Sequence, residues 1–166
     1  MHSRIFQLET NVDNVTENPL IESDILGDWD YPGWFIPTIA DYVDDHTDRE
    51  DDISWFISNL QNHKDYIKVE KIKDDDIYYS ITFLNGFKKE YFKDRFEAFK
   101  KEINNITLDN FCESMNSYRI RSLIEDKYSF YIYGQDDGLY NLDAFVRDNL
   151  IEGETYYFGT TLDYHC

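Results

Sequence analysis

A chain of 166 residues carrying 16 Lys+Arg against 34 Asp+Glu has a formal net charge of −18, with 42% hydrophobic and 17% aromatic residues. That is too much apolar surface for a disordered acidic tail and enough for one core, while the charge opposes direct contact with nucleic acid or an anionic membrane. No run approaches the roughly 20 apolar residues of a membrane helix, no apolar leader follows Met1, and the two cysteines, Cys112 and Cys166, make no disulfide framework; the expectation is one cytoplasmic domain, with room for a loosely packed arm over residues 1–35.

In chain order, residues 3–9 alternate as an opening strand, and residues 10–24 are polar without a periodic apolar face, which predicts a loop. Trp29, Tyr31, Trp34 and Phe35 follow in a segment broken by Pro32 and Gly33, an aromatic and acidic turn. Ile36, Ile39, Ala40 and Val43 recur at helical spacing, so a short helix is expected to run into Asp44-Asp45. Thr47-Asp48-Arg49-Glu50 has the form of a capping box with Thr47 as the cap. The stripe Ile53, Phe56, Ile57, Leu60 carries the helix that it opens.

Residues 66–73 and 77–84 alternate around Asp74-Asp75-Asp76 as a β-hairpin. Phe92, Phe96, Phe99 and Ile103 place a buried stripe on a helix over 88–105. Thr107 caps a further helix in which Leu108, Phe111, Cys112 and Met115 share a face. Residues 128–133 have strand composition, 134–138 form a turn, Asn141 caps a short helix through Leu142, Phe145 and Val146, and residues 155–164 close the chain as a strand. The fold class that results is α+β: a mostly antiparallel sheet with helices packed on one face.

The charge is unevenly spread. Residues 1–60 hold 14 acids against Arg4 and Arg49, residues 61–127 balance 13 acids with 13 bases, and residues 128–166 hold 7 acids against Arg147. If the two ends meet in the fold they form one acidic face, which steers the protein toward a basic partner. The densest part is Asp41, Asp44, Asp45, Asp48, Glu50, Asp51 and Asp52, opposed in sequence only by Arg49. Carboxylates three and four positions apart on a helix lie about 5–6 Å apart at Cβ, near the phosphate spacing of a nucleic-acid strand. Helix capping and solubility account for Asp48, Glu50, Asp51 and Asp52 about as well, because acids in a first turn meet free N–H groups. Asp41, Asp44 and Asp45, expected at a helix C-terminus where negative charge is unfavourable, point more strongly to an external use. Trp29 and Tyr31, bordered by acids, resemble interface anchors, while Trp34 and Phe35 read as core. Asp136, Asp137 and Glu152 extend the face from the C-terminal block.

Signals for catalysis are sparse. The sequence has no GxSxG elbow, no Gly-rich phosphate loop and no metal-ligand pairing among His2, His46, His63 and His165. Asp136-Asp137-Gly138 is not an EF-hand loop, because its twelfth position falls on Arg147. The reading is a non-enzyme without cofactor or metal.

Ser3-Arg4-Ile5-Phe6-Gln7-Leu8, Ile39-Ala40-Asp41-Tyr42-Val43, and the stretch from Phe145-Val146-Arg147 to Gly159-Thr160-Thr161-Leu162-Asp163-Tyr164-His165 resemble the small acidic anti-defence proteins of Gram-positive phages and mobile elements, of anti-CRISPR and antirestriction type. The resemblance implies an inhibitor of a host nuclease, a Cas9-type effector foremost, and supplies no catalytic residues. The expected mechanism is mimicry: Cas9-type effectors hold nucleic acid in positively charged channels that an acidic face can occupy. Two alternatives stand beside it, an immunity protein for a basic nuclease toxin and a metal-dependent hydrolase built on the acids at 41–52.

Overall fold

The computed structural model describes residues 2–27, 35–74, 77–124, 128–134 and 138–166. In chain order the elements are β1 (His2–Glu9), α1 (Val12–Glu17), α2 (Glu22–Leu26), α3 (Phe35–Thr38), β2 (Tyr42–Asp44), α4 (Arg49–Asn59), a 3-10 segment (Gln61–Tyr66), β3 (Ile67–Asp74), β4 (Ile77–Phe83), α5 (Phe87–Asn104), α6 (Leu108–Phe111), α7 (Ser114–Ile124), β5 (Tyr131–Gly134), β6 (Gly138–Asn141), α8 (Leu142–Ala144), which runs on into a π-type turn (Phe145–Asn149), and β7 (Thr155–His165).

The strands form one sheet in the order β3-β4-β7-β1-β5-β6, with β2 paired to β7. All pairings are antiparallel except β1 with β5. The α+β class with a mostly antiparallel sheet therefore holds. The first and last strands are the centre of the sheet, so the acidic ends of the chain do meet. β1 follows β7 from Tyr157 to His165, which leaves the other edge of β7 to β4 over Thr155–Tyr157 and to β2 over Asp163–His165.

Two cores lie on opposite faces of this sheet, as alternation along a strand requires. Phe6, Leu8, Ile81, Ile132, Tyr156 and Phe158 face the longer helices through Ile53, Phe56 and Leu60 of α4, Phe87 of α5 and the 142–150 segment. Edge-to-face ring contacts dominate there, with Phe6 against both Phe56 (4.9 Å) and Phe130 (5.2 Å). Ile5, Tyr131, Leu162 and Tyr164 face Leu20, Ile25, Phe35, Ile39 and Val43. Along β7 the even-numbered positions change faces, Tyr156 and Phe158 on one and Leu162 and Tyr164 on the other, because a one-residue bulge between the Phe6 and Leu8 registers switches the side-chain parity. Buried Gln7 sits at that bulge: its amide accepts from Leu20 N–H (3.0 Å) and Thr160 N–H (3.2 Å) and donates to the Asn18 carbonyl (2.8 Å). A Cβ on Gly159 would come within 2.7 Å of the Gln7 Cδ, so only glycine fits opposite it.

Several sequence expectations change. Residues 10–24 contain α1 and the start of α2; each helix buries one side chain, Val15 and Ile25, too little for a periodic signal. The helix expected to end at Asp44-Asp45 stops at Thr38, and Tyr42–Asp44 adds a strand to β7 instead, a better use of a β-prone tripeptide next to an open edge. Asp48, not Thr47, caps α4 by accepting from Asp51 N–H (3.1 Å), while the Thr47 hydroxyl turns to Thr161 Oγ1 (2.8 Å). Of the expected α5 stripe only half-buried Phe92 packs against the core; Phe96 and Ile103 are 56% and 44% exposed. Leu108 and Phe111 fall on α6, Cys112 in the turn after it and Met115 on α7, and all four are exposed. The Asn141 cap stands, accepting from Ala144 N–H at 2.8 Å. Among the described residues no helix is long and apolar enough to cross a membrane.

Candidate acidic interface

Pairing β2 to β7 and β7 to β1 writes two rows of side chains across the sheet: Tyr42, His165 and His2 in one, and Asp44, Asp163 and Arg4 in the other. In the first row Tyr42 stacks on His165 at 5.4 Å and His165 meets His2 at 5.0 Å. His2 Nδ1 bonds Asp163 at 2.7 Å and His165 Nδ1 bonds Asp41 at 2.9 Å. In the second row Asp44 and Asp163 are direct cross-strand partners, an arrangement of like charges that needs compensation. For Asp163 it comes from Arg4, whose Nη1 donates to its carboxylate while Nε donates to Asp52 Oδ1 at 2.6 Å. For Asp44 it comes from His46, whose backbone N–H (2.8 Å) and ring (2.6 Å) both reach the carboxylate.

These contacts shift the protonation of the exposed pair. The His46 backbone N–H and then its ring hold Asp44 below the ordinary carboxylate range. The hydrogen bond to Asp44, with the charges of Asp44 and Asp45, raises His46 above its ordinary value of 6.5. The edge therefore carries its full negative charge only on the alkaline side of that titration.

The sequence-selected residues divide clearly. Asp41 and Asp45 are exposed and Asp44 is half-exposed, all three on or beside β2, and their ion pairs are to histidines. Asp48 and Asp51 are exposed in the first turn of α4. Asp52 is 5% exposed and faces inward, bonded by Arg4 and by the Thr161 hydroxyl (3.0 Å), so it is an internal counter-ion. Glu152 lies at another place: its carboxylate accepts from Gly86 (3.0 Å) and Lys88 (2.8 Å) N–H groups and caps α5, and those bonds hold it below its ordinary pKa. Trp29, Tyr31, Asp136 and Asp137 lie outside the described residues. Because Asp41, Asp44 and Asp45 stand on a strand and its flanks, the helix-dipole argument for their external use no longer applies; what replaces it is that no ion pair among the described residues joins Asp41, Asp44, Asp45, Asp48 or Asp51 to a lysine or arginine.

Sequence reasoning missed Arg4, Asp163, His2 and His165 as members of this edge. Their partners lie up to 161 residues away, and only the strand register brings them together. It also missed that Asp44, Asp45 and His46 place three ligand atoms within 4.8 Å of one another, a geometry open to a divalent cation though fully at the surface. A separate cavity of about 410 Å³ lies between α4, α5 and the 128–130 segment. The carboxylate in its lining, Asp143, is 1% exposed and already holds Tyr91 Oη (2.9 Å) and Arg95 Nη1 (2.5 Å). Burial, and then Asp143, raise the Tyr91 phenol well above its ordinary value, which fits a structural network.

Comparison with protein-family models, with curated proteins and with solved structures finds no match to this chain.

Proposed function

We propose that this chain is an inhibitory protein whose acidic edge occupies the basic nucleic-acid-binding groove of a host defence nuclease, with a Cas9-type effector as the target that the sequence resemblance implies. One observation carries the reading: Asp41, Asp44, Asp45, Asp48 and Asp51 lie along β2 and the start of α4 with no ion pair, among the described residues, to a lysine or arginine, whereas Glu50 in the same stretch pairs with Lys71. Ordinary surface acids are interspersed with lysine and arginine, and a chain with 16 such residues had them to spend. Uncompensated carboxylates cost stability through mutual repulsion, and a partner that supplies guanidinium and ammonium groups offsets that cost on binding.

The test is binding of the purified chain to a panel of guide-free Cas9-type effectors at rising salt. Low-salt binding that weakens steeply with added salt, and that is lost in the doubly reversed Asp44→Lys/Asp45→Lys chain with unchanged circular dichroism, supports the reading. Salt-insensitive binding, or full binding by the reversed chain, overturns it. Binding confined to a basic nuclease toxin makes the chain an immunity protein using the same edge.

A further inference from the structure

From Lys88 to Ile124 not one described side chain is buried, although this stretch contains the longest helix of the protein, α7 packed on it, and α6 against α7. The first turns of α5 join the core through Phe87, Tyr91 and Phe92; beyond them α5, α6 and α7 leave the sheet. Short helices are marginal in water unless an apolar face is covered, and these helices have such faces. Phe96 and Ile103 are seven apart on α5, and Leu108, Phe111, Met115 and Tyr118 follow on α6 and α7 at 88%, 65%, 57% and 69% exposure. Exposed apolar side chains concentrated in this way mark an interaction surface.

The charge says which partner fits. Residues 87–124 carry eight bases (Lys88, Lys89, Lys93, Arg95, Lys100, Lys101, Arg119, Arg121) and six acids (Glu90, Asp94, Glu97, Glu102, Asp109, Glu113), net +2, so the remainder of the chain carries −20. Two copies meeting through the acidic edge bring strongly like-signed surfaces together. On this nearly balanced face they meet with little of that repulsion, bury apolar against apolar, and keep both acidic edges outward; the other nearly balanced stretch, residues 61–74 with four bases and three acids, offers no exposed large apolar side chain among its described residues. We infer that α5, α6 and α7 form a twofold, self-complementary interface between two copies of this chain. The inference does not depend on the acidic edge or on its target.

Sedimentation equilibrium of the full chain over an approximately hundredfold concentration range tests it, since a reversible dimer dissociates on dilution. The expected result is a species of twice the chain mass at the high end, with added salt leaving it intact or favouring it. Leu108→Ser/Phe111→Ser, at positions too exposed to support the fold, should return the chain to monomer with unchanged circular dichroism, while Ile21→Ser/Ile151→Ser, at positions more than half exposed elsewhere, should remain dimeric. A single monomeric species at every concentration overturns the inference, whatever other partner the face later proves to bind. So does a dimer that salt dissolves, which would mean a basic surface docking on the acidic edge, or one that the 108/111 variant leaves unchanged.

Discussion

Replacing Arg4 by methionine removes the cation on which two interior carboxylates depend. Arg4 is 21% exposed at its side chain, Asp52 6% and Asp163 13%, and its guanidinium also lies 5.7 Å from the centre of the Trp55 ring. Methionine keeps most of the packing volume and deletes the charge. Among the described residues, Asp52 then keeps the Thr161 hydroxyl and Asp163 the His2 ring. Breaking a largely buried ion pair by removing one partner costs about 3–5 kcal/mol, because the remaining charge stays desolvated. For a domain of this size each kcal/mol moves the melting temperature by about 2–4 °C, so the expected drop is roughly 6–20 °C. Urea unfolding at neutral pH, followed by tryptophan fluorescence, measures the free energy; Arg4→Lys, which keeps the charge and loses the fork that bridges both acids, should fall between the two. A loss below about 1 kcal/mol for Arg4→Met would refute the reasoning, since it would class the pair with solvated surface bridges.

Gly159→Ala should destabilise by about 1–3 kcal/mol in the same unfolding assay, because the added methyl overlaps the Gln7 side chain at the bulge. Glu152→Ala should cost about 1 kcal/mol through loss of the α5 cap. The depressed pKa of Glu152 means that its contribution is present above 4.5 and disappears as pH falls through the lower folded value, so the wild-type and variant stability curves should converge in acid. His46 should titrate above 6.5 by NMR and return toward that value in Asp44→Asn. Its raised pKa stabilises the fold below 6.5, and that stabilisation is lost as pH rises through the folded value. On the proposed function, the same protonation partly neutralises the edge, so affinity for a basic partner should be lower in mild acid than at pH 8.

Elements whose residues repeat a strong local pattern could be read directly: the Ile53-Phe56-Leu60 stripe of α4, the 67–83 hairpin, the Asn141 cap and the closing strand all sit where spacing and turn chemistry place them. What the sequence concealed is decided by partners. Tyr42-Val43-Asp44 follows helix-spaced apolar residues, yet it becomes a strand because the end of β7 has an edge to pair. Thr47 has the form of a cap, yet Thr161 offers its hydroxyl a better contact across the sheet. Phe96 and Ile103 look like core on spacing alone, and only the layout shows that α5 has outrun the sheet. The same holds for the acidic edge. Local density revealed Asp41, Asp44 and Asp45, whereas the inward turn of Asp52 depends on Arg4, 48 positions earlier.

The placement of β1 between β7 and β5 has a kinetic corollary. On a ribosome β1 is made well before either neighbour: the earlier of them, β5, follows about 125 residues later, roughly 6–25 s at ordinary elongation rates. Through that interval the strand Ile5-Phe6-Gln7-Leu8 has neither neighbour, so nascent chains should engage holdase chaperones, and refolding in vitro should be slow for the chain's length, as expected when the decisive contacts join the two termini.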